Sequence, residues 1–209
     1  MSYIIYVSDT ETTGINPLEH DIIEVSYLKF YFNKPDEIEQ KTWLLKAMNP
    51  ATIRDDALAK NGHKKEDILW RTDYGRENYK SPEIVLPEIE DWFSGDGQSA
   101  YDRVFAGHNP WFDFDFQEQL WRRNNSIDTF PFELGPNLKI MDTKEIILMF
   151  DIILGQTRKS YSLSNLIKDF GIKKEKAHRA DADTRMTKDL LVHVVNGIRE
   201  SVEKNFKNL

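Results

Sequence analysis

Two periods of apolar and polar residues divide the chain. "YIIYVSD" (3–9) is a short, nearly unbroken apolar run that suits a buried strand. "DIIEVSYLKFYF" (21–32) and "IEQKTWLLKA" (38–47) follow, rich in β-branched and aromatic residues, with the turn-like "NKPDE" (33–37) between them. These three runs predict an antiparallel meander. The period then lengthens. "ATIRDDALAKNG" (51–62) reads as a helix closed by Gly62, and "SPEIVLPEIEDWFSG" (81–95) as another, with Ser81 as cap, Pro82 in the first turn and a kink at Pro87. "DRVFAGHN" (102–109) predicts a strand ending at Asn109, an N-cap with Pro110 behind it; the helix beyond carries Phe112, Phe116 and Leu120 on one stripe. "NLKIMD" (137–142) reads as a last strand and "TKEIILMFDIIL" (143–154) as a helix. "SLSNLIKDFG" (162–171) is a helix with Leu163, Leu166, Ile167 and Phe170 on one face and Gly171 as its stop. The final helix begins near Ala180 and runs through Met186, Leu190, Val194 and Ile198. Residues 68–80, "ILWRTDYGRENYK", follow no period and are expected to be a surface loop. Strands first, then alternating strands and helices, predict an α/β mixed sheet flanked by helices, in one domain over residues 1–209.

Composition narrows the chemistry. With 209 residues, 40% hydrophobic and 30% charged, the chain has the balance of a globular protein with one substantial core. It has no cysteine, which leaves carboxylates and imidazoles as the metal ligands on offer. No apolar run approaches the ~18 residues of a membrane span. The start, "MSYIIYVSDTE", lacks the basic segment of a secretion signal, so a cytoplasmic protein with no membrane partner is expected. A net charge of −7 argues against coating nucleic acid by bulk electrostatics. It is compatible with gripping a few nucleotides at an acidic, metal-filled site.

The acidic residues fall in suggestive places. Asp9 and Glu11, in "DTET", are two apart on a strand and project to the same side. Carboxylates that close repel unless a cation lies between them; taken alone, the pair also suits a solvated turn before Gly14. Asp113 sits in the first turn of its helix, where the helix dipole favours it, among Trp111, Phe112, Phe114 and Phe116, where desolvation is costly. Asp183 shares the apolar stripe of Met186 and Leu190, and a carboxylate buried on such a face is paired or holds a metal. His178 lies five residues earlier, in the basic segment "KKEKAHR". Of the five histidines, only His178 and His108 adjoin other candidate residues. An all-oxygen carboxylate set suits Mg²⁺ or Mn²⁺. Two such ions ~3.5–4 Å apart can stabilise the attacking and leaving oxygens of phosphodiester cleavage. A nearby histidine can take the proton of the attacking water.

Three segments, in order, resemble the motifs of the DEDDh exonucleases, the group that includes proofreading subunits of bacterial replicative polymerases, ribonuclease T and oligoribonuclease: "SDTETTGINP", "GHNPWFDFDF" and "HRADAD". "DIIEVS", "NPATIRDDALAKNG", "MDT" and "YSLSNLIKDFGI" fit between them, so the likeness covers roughly residues 3–195. The resemblance implies a ribonuclease-H-like fold and 3′→5′ removal of nucleoside 5′-monophosphates from single-stranded DNA or RNA by a two-metal mechanism. Asp9, Glu11, Asp113 and Asp183 would be metal ligands and His178 the general base. Thr12, Thr13 and Gly14 would lie against the 3′-terminal nucleotide with Asn109 nearby, and Phe112 and Ile15 would meet bases. Lys173, Lys174, Lys176 and Arg179 would either meet the backbone of the incoming strand or form a solvated charge run. A homodimer is the assembly the resemblance suggests, and no polymerase-docking tail is evident after residue 200. The competing reading is a catalytically silent module of the same fold that binds nucleic acid or a protein.

Overall fold

The computed structural model describes residues 3–69, 79–175 and 178–206. Its first three strands are β1 (Ile4–Thr12), β2 (Ile22–Tyr31) and β3 (Lys34–Leu45), and they form the expected antiparallel meander. The turn between β2 and β3 is tighter than "NKPDE" suggested. Tyr31 pairs with Lys34, so only Phe32 and Asn33 turn, and Pro35 is taken into β3 where the ladder is already irregular. The predicted helix over 51–62 is also shorter: a 3₁₀ turn at Pro50–Thr52 precedes α1 (Asp55–Asn61), which Gly62 closes at φ +77°, a left-handed value natural to glycine.

The stretch 68–80 is not a plain surface loop. Ile68, wholly buried, ends the short helix α2 (Lys65–Ile68); Leu69 bridges to Ala47; and β4 (Tyr79–Lys80) pairs in parallel with Leu44–Leu45 of β3. Residues 70–78 lie outside the described residues. Segments this short carry no period of their own and are held by the sheet edge they join.

Helix α3 (Pro82–Ser94) keeps Pro87 inside it. Strand β5 (Arg103–Gly107) leads to α4 (Pro110–Arg123), and β6 (Ile140–Asp142) to α5 (Thr143–Ile153); α6 (Leu163–Asp169) and α7 (Ala180–Phe206) follow. The sheet order is β4-β3-β2-β1-β5-β6, with β1, β5 and β6 parallel, as the mixed architecture required. Alternation along β1 sends its residues to two cores. Ile4 and Tyr6 pack toward Val85, Ile89 and Phe93 of α3 and Phe116 and Trp121 of α4. Ile5 and Val7 pack toward Leu191 of α7 on the other face. Burying a side chain such as Phe105 or Ile89 stabilises by about 1.5–3 kcal/mol, and these contacts clamp β1 between helices. No helix among the described residues is long and apolar enough to cross a membrane.

Candidate active site

The acidic residues converge where β1 outruns its parallel neighbour. Pairing of β1 with β5 stops at Val7, while pairing with β2 continues to Thr12. Beyond Val7 one edge of β1 therefore lacks a strand to receive its N–H groups. Asp113, in the first turn of α4, fills that role: its Oδ1 accepts both the Thr10 N–H and the Thr10 hydroxyl, each at 2.7 Å. Asp9 and Glu11, of odd parity, project to the face covered by α7 and are each half-buried.

Helix α7 brings the remaining groups. One carboxylate oxygen of Glu11, one of Asp183 and one imidazole nitrogen of His178 lie within 4.8 Å of one another. Asp9 and Asp113 stand outside this triplet but within electrostatic reach of it. The five-residue spacing lets the His178 N–H donate to Asp183 Oδ2 at 3.1 Å, which turns the exposed ring toward the acidic groups. His178 has a φ of +61°, uncommon outside glycine and a frequent mark of functional sites.

Burial and mutual repulsion raise every one of these carboxyl groups. Burial, then the fields of Asp183 and Glu24, push Glu11 up to about 8 despite the opposing pull of Lys60. Asp113 is pushed up to about 7 by burial, against the restraint of its two Thr10 bonds. Asp9 lies well above the usual carboxylate range through burial and the charges of Asp113, Asp183 and Glu11. Asp183 is raised chiefly by burial, and its Oδ1 is buried with no hydrogen-bond partner among the described residues. An orphaned carboxylate oxygen beside three more acids and an imidazole is a donor set that fits a hard divalent cation.

These raised groups make stability depend on pH. The folded state holds its protons to higher pH than the unfolded chain, so the metal-free protein is expected to lose stability as pH rises from about 4 to about 8. A divalent cation held here would bind the deprotonated set, so the gain in Tm on adding Mn²⁺ should widen across the same interval. Thermal melts with and without Mn²⁺ across that range check this. A constant gap would mean that these carboxylates do not take the ion.

A cleft of about 290 Å³ adjoins the acids, lined in part by Thr12, Gly14, Ile15 and Phe112. Ile15 is 74% exposed and available for contact. Gly14 is there because nothing larger fits: the His20 ring comes within 2.0 Å of where a Cβ would stand. Thr13 is elsewhere. It is wholly buried, its hydroxyl accepts the Asp21 N–H at 2.9 Å, and it braces the turn beneath the cleft. Asn109 is not among the lining residues, nor does its side chain cap α4; its φ is +63° and its N–H donates to Asp142 Oδ1 at 3.1 Å. His108 ties the start of α4 to α5, bonding Thr143 Oγ1 and the Tyr161 carbonyl. Lys173 and Lys174 are exposed, Lys176 lies outside the described residues, and Arg179, itself exposed, places its Nε 3.4 Å from Glu24.

Sequence reasoning missed two groups of residues. Arg54, just before α1, and Lys60 and Asn61 within it line the cleft, a placement that no local pattern announces. Glu24 and His63 adjoin the acids from β2 and the turn after α1. Glu24 did carry a signal, as a lone charge inside the apolar run "IIEVSYL"; His63 carried none.

A model of the RNase T exonuclease family matches residues 6–191. The PolC-type DNA polymerase III of Staphylococcus haemolyticus is 26% identical over 211 residues, and that of Staphylococcus aureus strain bovine RF122 is 25% identical over 203. These alignments take in 100% and 95% of this chain, which spans 12% of the length of each relative. Among solved structures, E. coli exonuclease I in complex with a dT13 oligonucleotide superimposes with a TM-score of 0.76 at 16% identity, covering 98% of this chain and 43% of that one. Cell-death related nuclease 4 (CRN-4) gives a TM-score of 0.72 at 13% identity, over 93% of this chain and 64% of its own. At these identities the structural likeness establishes a common ribonuclease-H-like fold.

Proposed function

The chain belongs to the exonuclease family, and we propose that it is a metal-dependent 3′→5′ exonuclease that releases nucleoside 5′-monophosphates from the 3′ ends of single strands. The observation that carries this reading is the meeting of Glu11, Asp183 and His178 within 4.8 Å, beside Asp9 and Asp113. Asp9, Glu11, Asp113 and Asp183 would hold two Mg²⁺ or Mn²⁺ ions. When bound, these ions supply Lewis-acid stabilisation of the phosphate oxygens.

The remaining work falls to protein groups. An imidazole nitrogen of His178 takes a proton from the water that attacks phosphorus, the bond from phosphorus to the upstream 3′ oxygen breaks, and that oxygen takes a proton from solvent to become the new 3′-hydroxyl end. Phe112 and Ile15 give the terminal base apolar surface, while Thr12 and Gly14 bring backbone close to the sugar. Lys60, whose charge opposes the rise at Glu11, places a cation on the same wall. The dT13 held by the E. coli exonuclease I of like fold makes single-stranded DNA the first substrate to try.

A degradation panel tests the reading: single-stranded DNA, single-stranded RNA, very short RNA and blunt duplex, each 5′-labelled and incubated with Mn²⁺ or Mg²⁺. Stepwise shortening from the 3′ end with 5′-monophosphate products is expected, fastest on single strands. Internal cleavage, 3′-monophosphate products, or activity that survives EDTA would each refute it.

A further inference from the structure

We propose that Glu24, acting with His63, is a positioning residue that fixes the start of α7 and so holds His178 and Asp183 against Glu11; the kinetic arm of its test rests on the nuclease reading above. Glu24 is wholly buried on β2, directly opposite Glu11 in the β1–β2 register. A buried carboxylate there adds repulsion to a cluster already crowded with acids, so it must be matched by donors.

It is matched on both oxygens. Oε1 accepts the N–H of Ala180 at 3.1 Å, and Oε2 lies 2.9 Å from His63 Nε2 and 3.4 Å from Arg179 Nε. Ala180 is the first residue of α7, and a helix leaves its first N–H groups without partners inside the helix. A carboxylate at that point satisfies one of them and complements the helix dipole. Ala180 lies two residues after His178 and three before Asp183, so this bond anchors the backbone between the two. His178 is held at a φ of +61°, a conformation that persists only when its surroundings impose it.

His63 anchors Glu24 in turn. Its side chain is 5% exposed, and with its proton on Nε2 it donates to Glu24 while Nδ1 accepts the Tyr79 hydroxyl. The His63 N–H donates to Asn61 Oδ1, and Asn61 Nδ2 donates to the Thr12 carbonyl at 3.1 Å. The chain of bonds therefore runs from the α1 wall of the cleft, through Glu24, to the first residue of α7.

The test uses the full chain carrying His63→Leu, His63→Gln or Glu24→Gln, with steady-state kinetics on a single-stranded oligonucleotide in Mn²⁺ and hydrogen exchange at the Ala180 amide. His63→Leu should lower kcat about 10- to 100-fold with KM little changed, and should speed Ala180 exchange about 10-fold. His63→Gln, whose amide N–H can still donate to Glu24, should recover most of both losses. Parental kcat in His63→Leu, unchanged Ala180 exchange, or a His63→Gln variant as poor as His63→Leu would overturn the proposal. Should circular dichroism show His63→Leu unfolded, Glu24→Gln decides, since it keeps the volume and removes the charge: a reduced kcat supports the proposal and a parental kcat ends it. If the parent chain is itself inactive, the nuclease reading fails while Ala180 exchange still decides the positioning role.

Discussion

Asp9→Asn is expected to lower turnover by about 10³-fold or more while making the metal-free protein more resistant to heat at pH 8. Loss of a ligand removes part of an interaction worth several kcal/mol in the transition state, and each 1.36 kcal/mol is tenfold in rate. The stability change has the opposite sign because Asp9 is held well above the usual carboxylate range by burial and by Asp113, Asp183 and Glu11. The folded state pays for that carboxyl only above its unfolded pKa of about 4, so asparagine should be neutral below pH 4 and stabilising at pH 8. Each kcal/mol relieved raises Tm by about 2–4 °C in a domain of this size. Kinetics at saturating Mn²⁺ and melts in EDTA measure the two effects separately. Activity near the parental level, or a lower Tm at pH 8, would show that Asp9 is not part of a strained cation site.

His178→Ala is expected to cut kcat about 10²- to 10⁴-fold, the usual contribution of general-base catalysis. Saturating Mn²⁺ is essential here. It keeps Glu11 and Asp113, raised to about 8 and about 7 in the metal-free protein, ionised at the assay pH. Mn²⁺ affinity should survive the substitution, since the carboxylates remain. The ring nitrogen lies within 4.8 Å of oxygens of Glu11 and Asp183, close enough to make the alternative concrete. A loss of Mn²⁺ affinity as large as the loss of kcat would make His178 a ligand rather than the base.

Much of this site was legible along the chain, for reasons that can be named residue by residue. Asp9 and Glu11 share a side because strand side chains alternate, and any strand over "DTET" puts them there. His178 reaches Asp183 because the distance from the approach of a helix to its first turn is fixed by local geometry. Thr13 was read differently: its motif neighbours line the cleft, yet it turns inward to bond Asp21, eight residues on, across a turn whose path no period encodes.

By itself, then, the sequence determined what depends on neighbours within a turn of helix or a few strand residues: the order of the elements, the pairing of Asp9 with Glu11 and the reach of His178 to Asp183. Only the tertiary structure decided the rest. Asp113 joins the acids across 103 residues because the pairing of β1 with β5 stops at Val7 and leaves the Thr10 N–H to be satisfied. Glu24 meets His63 across 39 residues and Ala180 across 156 because a buried carboxylate must find donors wherever packing supplies them. Periodicity records which face of an element is buried; it does not record which distant group will answer an unpaired one.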